Sequence, residues 1–166
     1  DFDGEAAFQV DDMQSTSGTL DAAQPGTAST GRANIGLSPL VTTVLTRTLD
    51  SLVAKGLGPA RVLKVDVEGA EELVLRGAQQ LLRNHRPHLL IELHGAAVAR
   101  QVLAAVLEHG YECRGVCAQS IHSTGYGPFD SSHLRSIQGL YDLHFLVASH
   151  DPQKLDRLDA AIAEAE

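Results

Sequence analysis

The stretch RVLKVDVEGAEE, residues Arg61–Glu72, decides the fold of this chain because an apolar run ends there in carboxylates and a glycine. The aliphatic and β-branched residues before the glycine are typical of a strand that is buried on both faces. After the glycine, apolar residues recur at helical spacing. Gly69 therefore marks a turn between a predicted strand, Val62–Val67, and one predicted helix, Ala70–Arg83.

The rest of the chain continues the alternation of strands and helices. Further strands are predicted at Glu5–Val10, Leu40–Thr46, His88–His94, Tyr111–Val116 and Tyr141–Ser149, and further helices from Thr48 to about Gly56, at Ala96–His109 and at Asp151–Ala163. Residues 118–139 are polar and are predicted to form a loop. This order predicts an α/β fold in which a mostly parallel sheet carries helices on both faces.

Length and composition predict one domain that covers all 166 residues. Residues 11–39 consist largely of Ser, Thr, Gly, Ala and Asp, and we expect a flexible loop there. The sequence opens on Asp1 rather than Met and enters a turn and a strand at once. We therefore expect that sequence upstream of Asp1 is missing.

Charge and hydropathy exclude several classes of function. The net charge of −8 argues against nucleic-acid binding, which needs a basic surface. No apolar segment approaches the roughly 20 residues of a membrane span, and no leader is visible, so we predict a cytoplasmic protein without a membrane partner. Cys113 and Cys117 fall in one predicted strand, where a disulfide between them is geometrically awkward, so both thiols are expected to be reduced.

Acidic side chains follow the two predicted buried strands. Alternation places Lys64 and Asp66 on one face of the first strand. Glu92 and His94 share one face of the second strand. If a right-handed crossover makes these strands neighbours, Asp66, Glu68, Glu92 and His94 converge at one rim of the sheet, where open α/β sheets bind ligands.

This acidic rim has several interpretations that spacing alone leaves open. It can bind a divalent cation, hold a general base, or accept hydrogen bonds from a polar ligand. Alternatively, Lys64 only neutralises Asp66, Glu68 stabilises the start of the following helix, and Glu92 and His94 are solvated. Structural ion pairs produce the same residue pattern as functional ones.

Other motifs give weaker signals. The glycine-rich run TGRANIG does not join a strand to a helix as a phosphate-binding loop does. There is no HxxxH or HExxH pair, so zinc is not indicated, and there is no G-x-S-x-G motif of a hydrolase. Polar residues of the late loop are more often solvated than functional. The residues of this loop that could contact a substrate are His122, Tyr126, His133 and Arg135.

A family resemblance extends this reading. The run LKVDVEGAEELVLRGAQQLL, followed by RPHLLIELH and a helix ending in HGY, resembles the C-terminal half of the FkbM-type methyltransferases. TLDSL at Thr48–Leu52 and SGTL at Ser17–Leu20 also fit the family pattern. The resemblance covers about Phe8 to Val147, and DVEGAE with its spacing to IELH is its most specific part.

The resemblance implies a partial class I, Rossmann-like methyltransferase fold with an antiparallel terminal strand. It also implies S-adenosylmethionine as cofactor and O-methylation of a hydroxyl on a sugar, a polyketide or a similar small molecule. The candidate catalytic residues are Asp66 first, Glu68 second and His94 as a secondary proton acceptor. Substrate or metal candidates are Glu92, Glu71 and Lys64; a divalent metal is compatible with the pattern but not indicated, and no cofactor-binding residue is assigned.

The chain also departs from the family pattern. The glycine-rich turn and the acidic ribose-binding residue of the cofactor site lie upstream of this sequence in the family. The resemblance therefore implies an acceptor-side piece whose strand Val62–Val67 is left as an open sheet edge, and we expect self-association through that edge. The rival interpretations are a non-catalytic module kept for protein interaction and, more weakly, a metal-dependent hydrolase.

Overall fold

A computed structural model describes residues 1–10, 18–20, 40–120, 123–129 and 145–164. The strands are β1 Gly4–Val10, β2 Gly18–Leu20, β3 Leu40–Thr46, β4 Val62–Val65, β5 His88–Glu92, β6 Glu112–Ser120, β7 Ser123–Phe129 and β8 Phe145–Ser149. The helices are α1 Leu49–Ala54, α2 Glu71–Arg76, α3 Gln79–His85, α4 Ala96–Glu108 and α5 Pro152–Ala163. Within these residues, no helix combines the length and the apolar character needed to cross a bilayer.

The first three strands form a small antiparallel sheet in the order β2-β1-β3. The strand predicted at Leu40–Thr46 is confirmed over the same residues. β2 lies inside the range 11–39 that was predicted to be a flexible loop, and the remainder of that range lies outside the described residues. One strand of this sheet therefore comes from a segment that composition alone did not predict to be ordered.

The second sheet carries the predicted buried strands in the order β4-β5-β8-β6-β7. β4 and β5 are parallel, with Val62 opposite His88 and Val65 opposite Ile91. β8 runs antiparallel between β5 and β6, so β6 has the direction of β4 and β5. The predicted α/β class and the antiparallel C-terminal strand are confirmed, but the sheet is mixed rather than mostly parallel, because among the described pairings in this sheet only β4–β5 is parallel.

The predicted single helix Ala70–Arg83 is wrong, because two short helices occupy its place and meet at Gly77 and Ala78. The break is fixed by Asp50 of α1, whose carboxylate oxygens accept hydrogen bonds from the backbone N–H groups of Gln80 and Leu81 at 2.9 Å. These are N–H groups of the first turn of α3, which lack partners within their own helix. A distant carboxylate thus caps a second helix.

The prediction of a loop over residues 118–139 is also wrong in part. β6 extends to Ser120, and β7 follows after two residues as its antiparallel partner, with Cys113 opposite Phe129. β7 reads STGYGPF, and its glycines and Pro128 hide the alternating pattern expected of a strand. Pro128 is tolerated because, among the described strands, β7 lies at the edge of the sheet.

The main core lies between one face of this sheet and the helices α2, α3 and α4. Fully buried members include Leu75, Leu82, Ile91, Val102 and Leu146. Burial of each such side chain stabilises the fold by about 1.5–3 kcal/mol. α5 contacts the opposite face, since Cys113 of β6 faces the core while the guanidinium of its neighbour Arg114 donates hydrogen bonds to Asp159 at 2.8–3.0 Å.

Candidate functional site

A tight turn ends β4 and aims carboxylates away from the strand. The strand stops at Val65, two residues earlier than predicted, and Glu68 and Gly69 take positive φ angles of 51° and 96°. This backbone is favourable only for glycine, and at Glu68 it carries a conformational cost. The amide of Ala70 closes the turn with a hydrogen bond of 3.2 Å to the carbonyl of Val67. The predicted strand-to-helix turn at Gly69 is therefore confirmed.

His94 comes to the same place from the end of β5. Its Nδ1 forms a hydrogen bond of 2.5 Å with Oε1 of Glu71. Its Nε2 faces the β4 turn, 3.7 Å from Oε2 of Glu68 and 3.9 Å from Oδ1 of Asp66. The three residues chosen first from the sequence, Asp66, Glu68 and His94, thus lie together at the carboxyl ends of two parallel strands.

Glu71 lies behind His94 and is fully buried, with an exposed fraction of 0%. Oε1 of Glu71 accepts hydrogen bonds from the amide of Gly69 at 3.1 Å and from the imidazole of His94. Its other oxygen, Oε2, is buried and has no hydrogen-bond partner in the part of the chain that is described. Glu71 therefore supports the rim from beneath, through His94 and through the amide of Gly69.

Lys64 is hydrogen-bonded to Asp66 at the rim. Its Nζ donates a hydrogen bond of 2.8 Å to Oδ2 of Asp66. This hydrogen bond lowers the pKa of Asp66 and raises the pKa of Lys64. Oδ1 of Asp66 is left facing His94. Lys64 thus stabilises the ionised form of Asp66 and leaves one carboxylate oxygen for another contact.

The carboxylates around His94 determine its protonation. Partial burial acts to lower the pKa of His94, but the hydrogen bond to Glu71 and the charges of Glu71, Glu68 and Glu92 outweigh burial and raise it. The raised pKa means that the imidazole holds a proton more tightly than it does in water. The cluster therefore favours positive charge at its centre.

Glu92 lies at the end of β5 and is half-buried. Its charge raises the pKa of both Lys64 and His94, so it is within electrostatic reach of the rim. Among the described residues, however, the acidic groups whose oxygens group with His94 as potential ligands are Asp66 and Glu68, and Glu92 is not one of them. Glu92 therefore affects the site through its charge rather than as one of the grouped ligand atoms.

The remaining sequence candidates are not placed. His122, His133 and Arg135 lie outside the described residues, and the side chain of Tyr126 is not described. The structural role of Glu71 was missed by sequence reasoning, although a signal was present. Glu71 stands four residues before the buried Leu75 and therefore lies on the apolar stripe of its helix, where a carboxylate needs a buried partner.

Comparison with known proteins supports the sequence resemblance. The family model described as the methyltransferase FkbM domain matches residues 3–113, more than half of the chain and including the whole rim. No curated protein and no solved structure matches the chain. The runs DVEGAE and IELH, on which the sequence resemblance rests, both lie within the matched residues. This chain belongs to the FkbM methyltransferase domain family and spans part of that domain.

Proposed function

We propose that this chain forms the acceptor side of an S-adenosylmethionine-dependent methyltransferase of class I fold that methylates a hydroxyl oxygen of a small molecule. Membership of the family supports methyl transfer. The observation that carries the proposal further is the meeting of Asp66, Glu68 and His94 at the carboxyl ends of β4 and β5. Ligands of open α/β sheets bind at that end of the strands.

The proposed reaction is an in-line displacement. S-adenosylmethionine, when bound, supplies an electrophilic methyl group on a positively charged sulfur. The acidic rim is compatible with this charge. No described residue is assigned to hold the cofactor, and the residues of the rim act on the acceptor. A carbon–oxygen bond forms as the carbon–sulfur bond breaks, and the hydroxyl proton must leave the acceptor.

Asp66 is the first candidate for the group that receives the acceptor hydroxyl. Its Oδ1 faces the cluster while Lys64 occupies Oδ2 through a hydrogen bond that lowers the pKa of the carboxyl. The hydroxyl therefore donates its hydrogen bond to Oδ1, which orients the oxygen for attack and draws its proton. Nε2 of His94 lies 3.9 Å away and serves as the secondary proton acceptor, with Glu71 stabilising the imidazolium that results.

The proposal is tested with the native-length protein and S-adenosylmethionine carrying a ¹³C-labelled methyl group. Sugars and polyketide alcohols are offered as acceptors, and products are followed by NMR for the signal of an O-linked ¹³C methyl. We expect a labelled methyl ether from at least one acceptor class. Transfer of the label to nitrogen or carbon would contradict O-methylation, and binding of no cofactor with transfer to no acceptor would favour the rival non-catalytic module.

A further inference from the structure

Three potential metal ligands meet at the rim without bonding to one another. They are Nε2 of His94, an oxygen of Asp66 and an oxygen of Glu68, and all lie within 4.8 Å of each other. Nε2 is 3.7 Å from Glu68 and 3.9 Å from Asp66. Charge-assisted hydrogen bonds are about 2.7–2.9 Å long, so a proton on Nε2 is not shared directly with either carboxylate. The three atoms are therefore grouped without direct hydrogen bonds between the imidazole and the carboxylates.

The separations from Nε2 are close to those around a small cation. Bonds of about 2.0–2.2 Å from imidazole nitrogen and carboxylate oxygen place tetrahedral ligands about 3.3–3.6 Å apart. The distances to Asp66 and Glu68 exceed this spacing by roughly a few tenths of an ångström. Both carboxylates are on flexible, partly exposed side chains, with exposed fractions of 38% and 50%. Their exposure leaves room for the rotations that would bring both oxygens to bonding distance of one ion.

Glu71 holds the other ring nitrogen of His94. Its carboxylate is fully buried, and Oε2 has no hydrogen-bond partner among the described residues. Such a group is costly unless nearby positive charge compensates it. When Nδ1 of His94 donates to Oε1 of Glu71, the lone pair of the neutral ring lies on Nε2, which faces Asp66 and Glu68. Histidines that bind metals commonly donate their other ring N–H to a carboxylate in this way.

We propose that Asp66, Glu68 and His94 bind one divalent first-row transition ion, with Glu71 as a positioning residue for His94. A set of one imidazole and two carboxylates suits Mn²⁺ or Zn²⁺ better than Ca²⁺ or Mg²⁺, which prefer oxygen ligands alone. Lys64 holds Oδ2 of Asp66, so Asp66 binds through Oδ1 only. The exposure of the two carboxylates leaves coordination positions open to solvent.

Binding of the ion does not depend on methyl transfer, and only its use in the reaction rests on the proposed function. An ion held by these residues would supply Lewis-acid activation: it would lower the pKa of a coordinated acceptor hydroxyl, whose proton would pass to solvent. Asp66 and His94 then act as ligands rather than as direct proton acceptors. The metal site and the methyltransferase proposal can therefore fail separately.

The test is a titration of the purified chain with Mn²⁺, in which electron paramagnetic resonance counts the free ion. We expect one saturable site, with broadening of the His94 ring signals in NMR spectra. Asp66→Asn and His94→Gln should weaken binding by at least about 10-fold, and Glu71→Gln by about 10–100-fold. Glu72→Gln is the matched control, because it removes the same charge one position away, and it should change the affinity less than about 2-fold.

A parallel titration with Zn²⁺, followed by calorimetry, covers the second ion. Circular dichroism shows whether each variant is folded. If the substitutions at His94 or Glu71 unfold the chain, the affinity of Asp66→Asn is compared with that of Glu72→Gln alone. Saturable binding that is lost in Asp66→Asn and kept in Glu72→Gln supports the site. Equal affinity of all variants, or the absence of saturable binding of both ions to the unsubstituted chain at millimolar concentration, overturns it.

Discussion

Oε1 of Glu71 lies 2.5 Å from Nδ1 of His94, and this hydrogen bond joins the first turn of α2 to the end of β5 beneath the candidate site. The same oxygen accepts a hydrogen bond from the amide of Gly69, so one buried carboxylate fixes both the histidine and the turn that carries Glu68. The orientation of the rim therefore depends on a residue that does not reach the surface.

Replacement of Glu71 by Leu should lower the free energy of unfolding. It leaves the Gly69 amide and the His94 ring without their acceptor, and an unsatisfied buried donor costs about 1–3 kcal/mol. Glu71→Gln keeps an acceptor oxygen and should cost less. Urea unfolding measures both, with Glu72→Leu as a control expected to stay within about 0.5 kcal/mol. A Glu71→Leu variant as stable as the unsubstituted chain would show that this carboxylate does not support the fold.

Gly69 should resist substitution for a different reason. Its φ of 96° is strained for any residue with a Cβ atom, and Gly69→Ala should destabilise the chain by about 1–2 kcal/mol. Gly58→Ala is the matched control, because no atom lies within 4 Å of an added Cβ and its φ is not in the positive range. Equal unfolding free energies for the two variants would contradict the strained turn.

Much of the site was predictable because it depends on local periodicity. Two apolar strands, each ending in acidic residues, specified a parallel pair and its rim, and Val62 indeed lies opposite His88 in that pair. Asp66 and His94 follow within two residues of the ends of β4 and β5, so the parallel pair brings both to one rim. These features follow from the pleat of a strand and the handedness of a crossover, both of which are visible in a single sequence.

The features that sequence reasoning missed depend on distant contacts. The break between α2 and α3 is stabilised by Asp50, which lies about 30 residues before the amides that it caps. A local sequence pattern does not predict a contact between residues so far apart. β7 is stabilised by pairing with β6 despite its glycines and Pro128, so strand propensity was overridden by its partner. The position of Glu71 on the apolar face of its helix indicated that it is buried. The reason for a carboxylate at this position is its contact with His94, which the sequence does not show.

Asp3 should give the fold a dependence on acidic pH. Hydrogen bonds from the amide of Thr48 at 2.7 Å and the hydroxyl of Ser51 at 2.9 Å lower the pKa of Asp3 to about 2. Because this pKa is depressed in the folded state, the contribution of Asp3 to stability is present above its unfolded pKa, near pH 4, and is lost as the pH falls towards 2.

NMR titration of the Asp3 carboxyl carbon checks this prediction. The folded chain should give a midpoint near pH 2, and Ser51→Ala, which removes one donor, should raise the midpoint. The stability difference between the unsubstituted chain and Asp3→Asn should shrink between pH 4 and pH 2. A midpoint at the value of an unperturbed aspartate would mean that these hydrogen bonds do not persist in solution.

We propose that the free edge of β4 mediates self-association. In the described part of the chain, β4 pairs with β5 on one side only, and Val62 on this strand is 62% exposed. Unpaired strand edges with apolar side chains favour strand addition. Sedimentation should show a mass that rises with concentration and that falls in Val62→Lys. Leu57→Lys, at a similarly exposed apolar residue outside the strands, should leave association unchanged; a chain that stays monomeric at high concentration would rule the edge out.

The most direct test of the account is the rate of methyl transfer by the native-length protein carrying Asp66→Asn, compared with Glu72→Gln as the control of equal charge change. Asp66 directs Oδ1 into the cluster, whereas Glu72 lies 3.7 Å from Arg76 on the surface of α2. We predict that Asp66→Asn lowers the turnover number by about 100-fold or more while the protein stays folded, since a positioned acid–base group contributes at least that factor. The control should keep full activity. Unchanged turnover in Asp66→Asn would contradict the assignment of the rim as the reaction site.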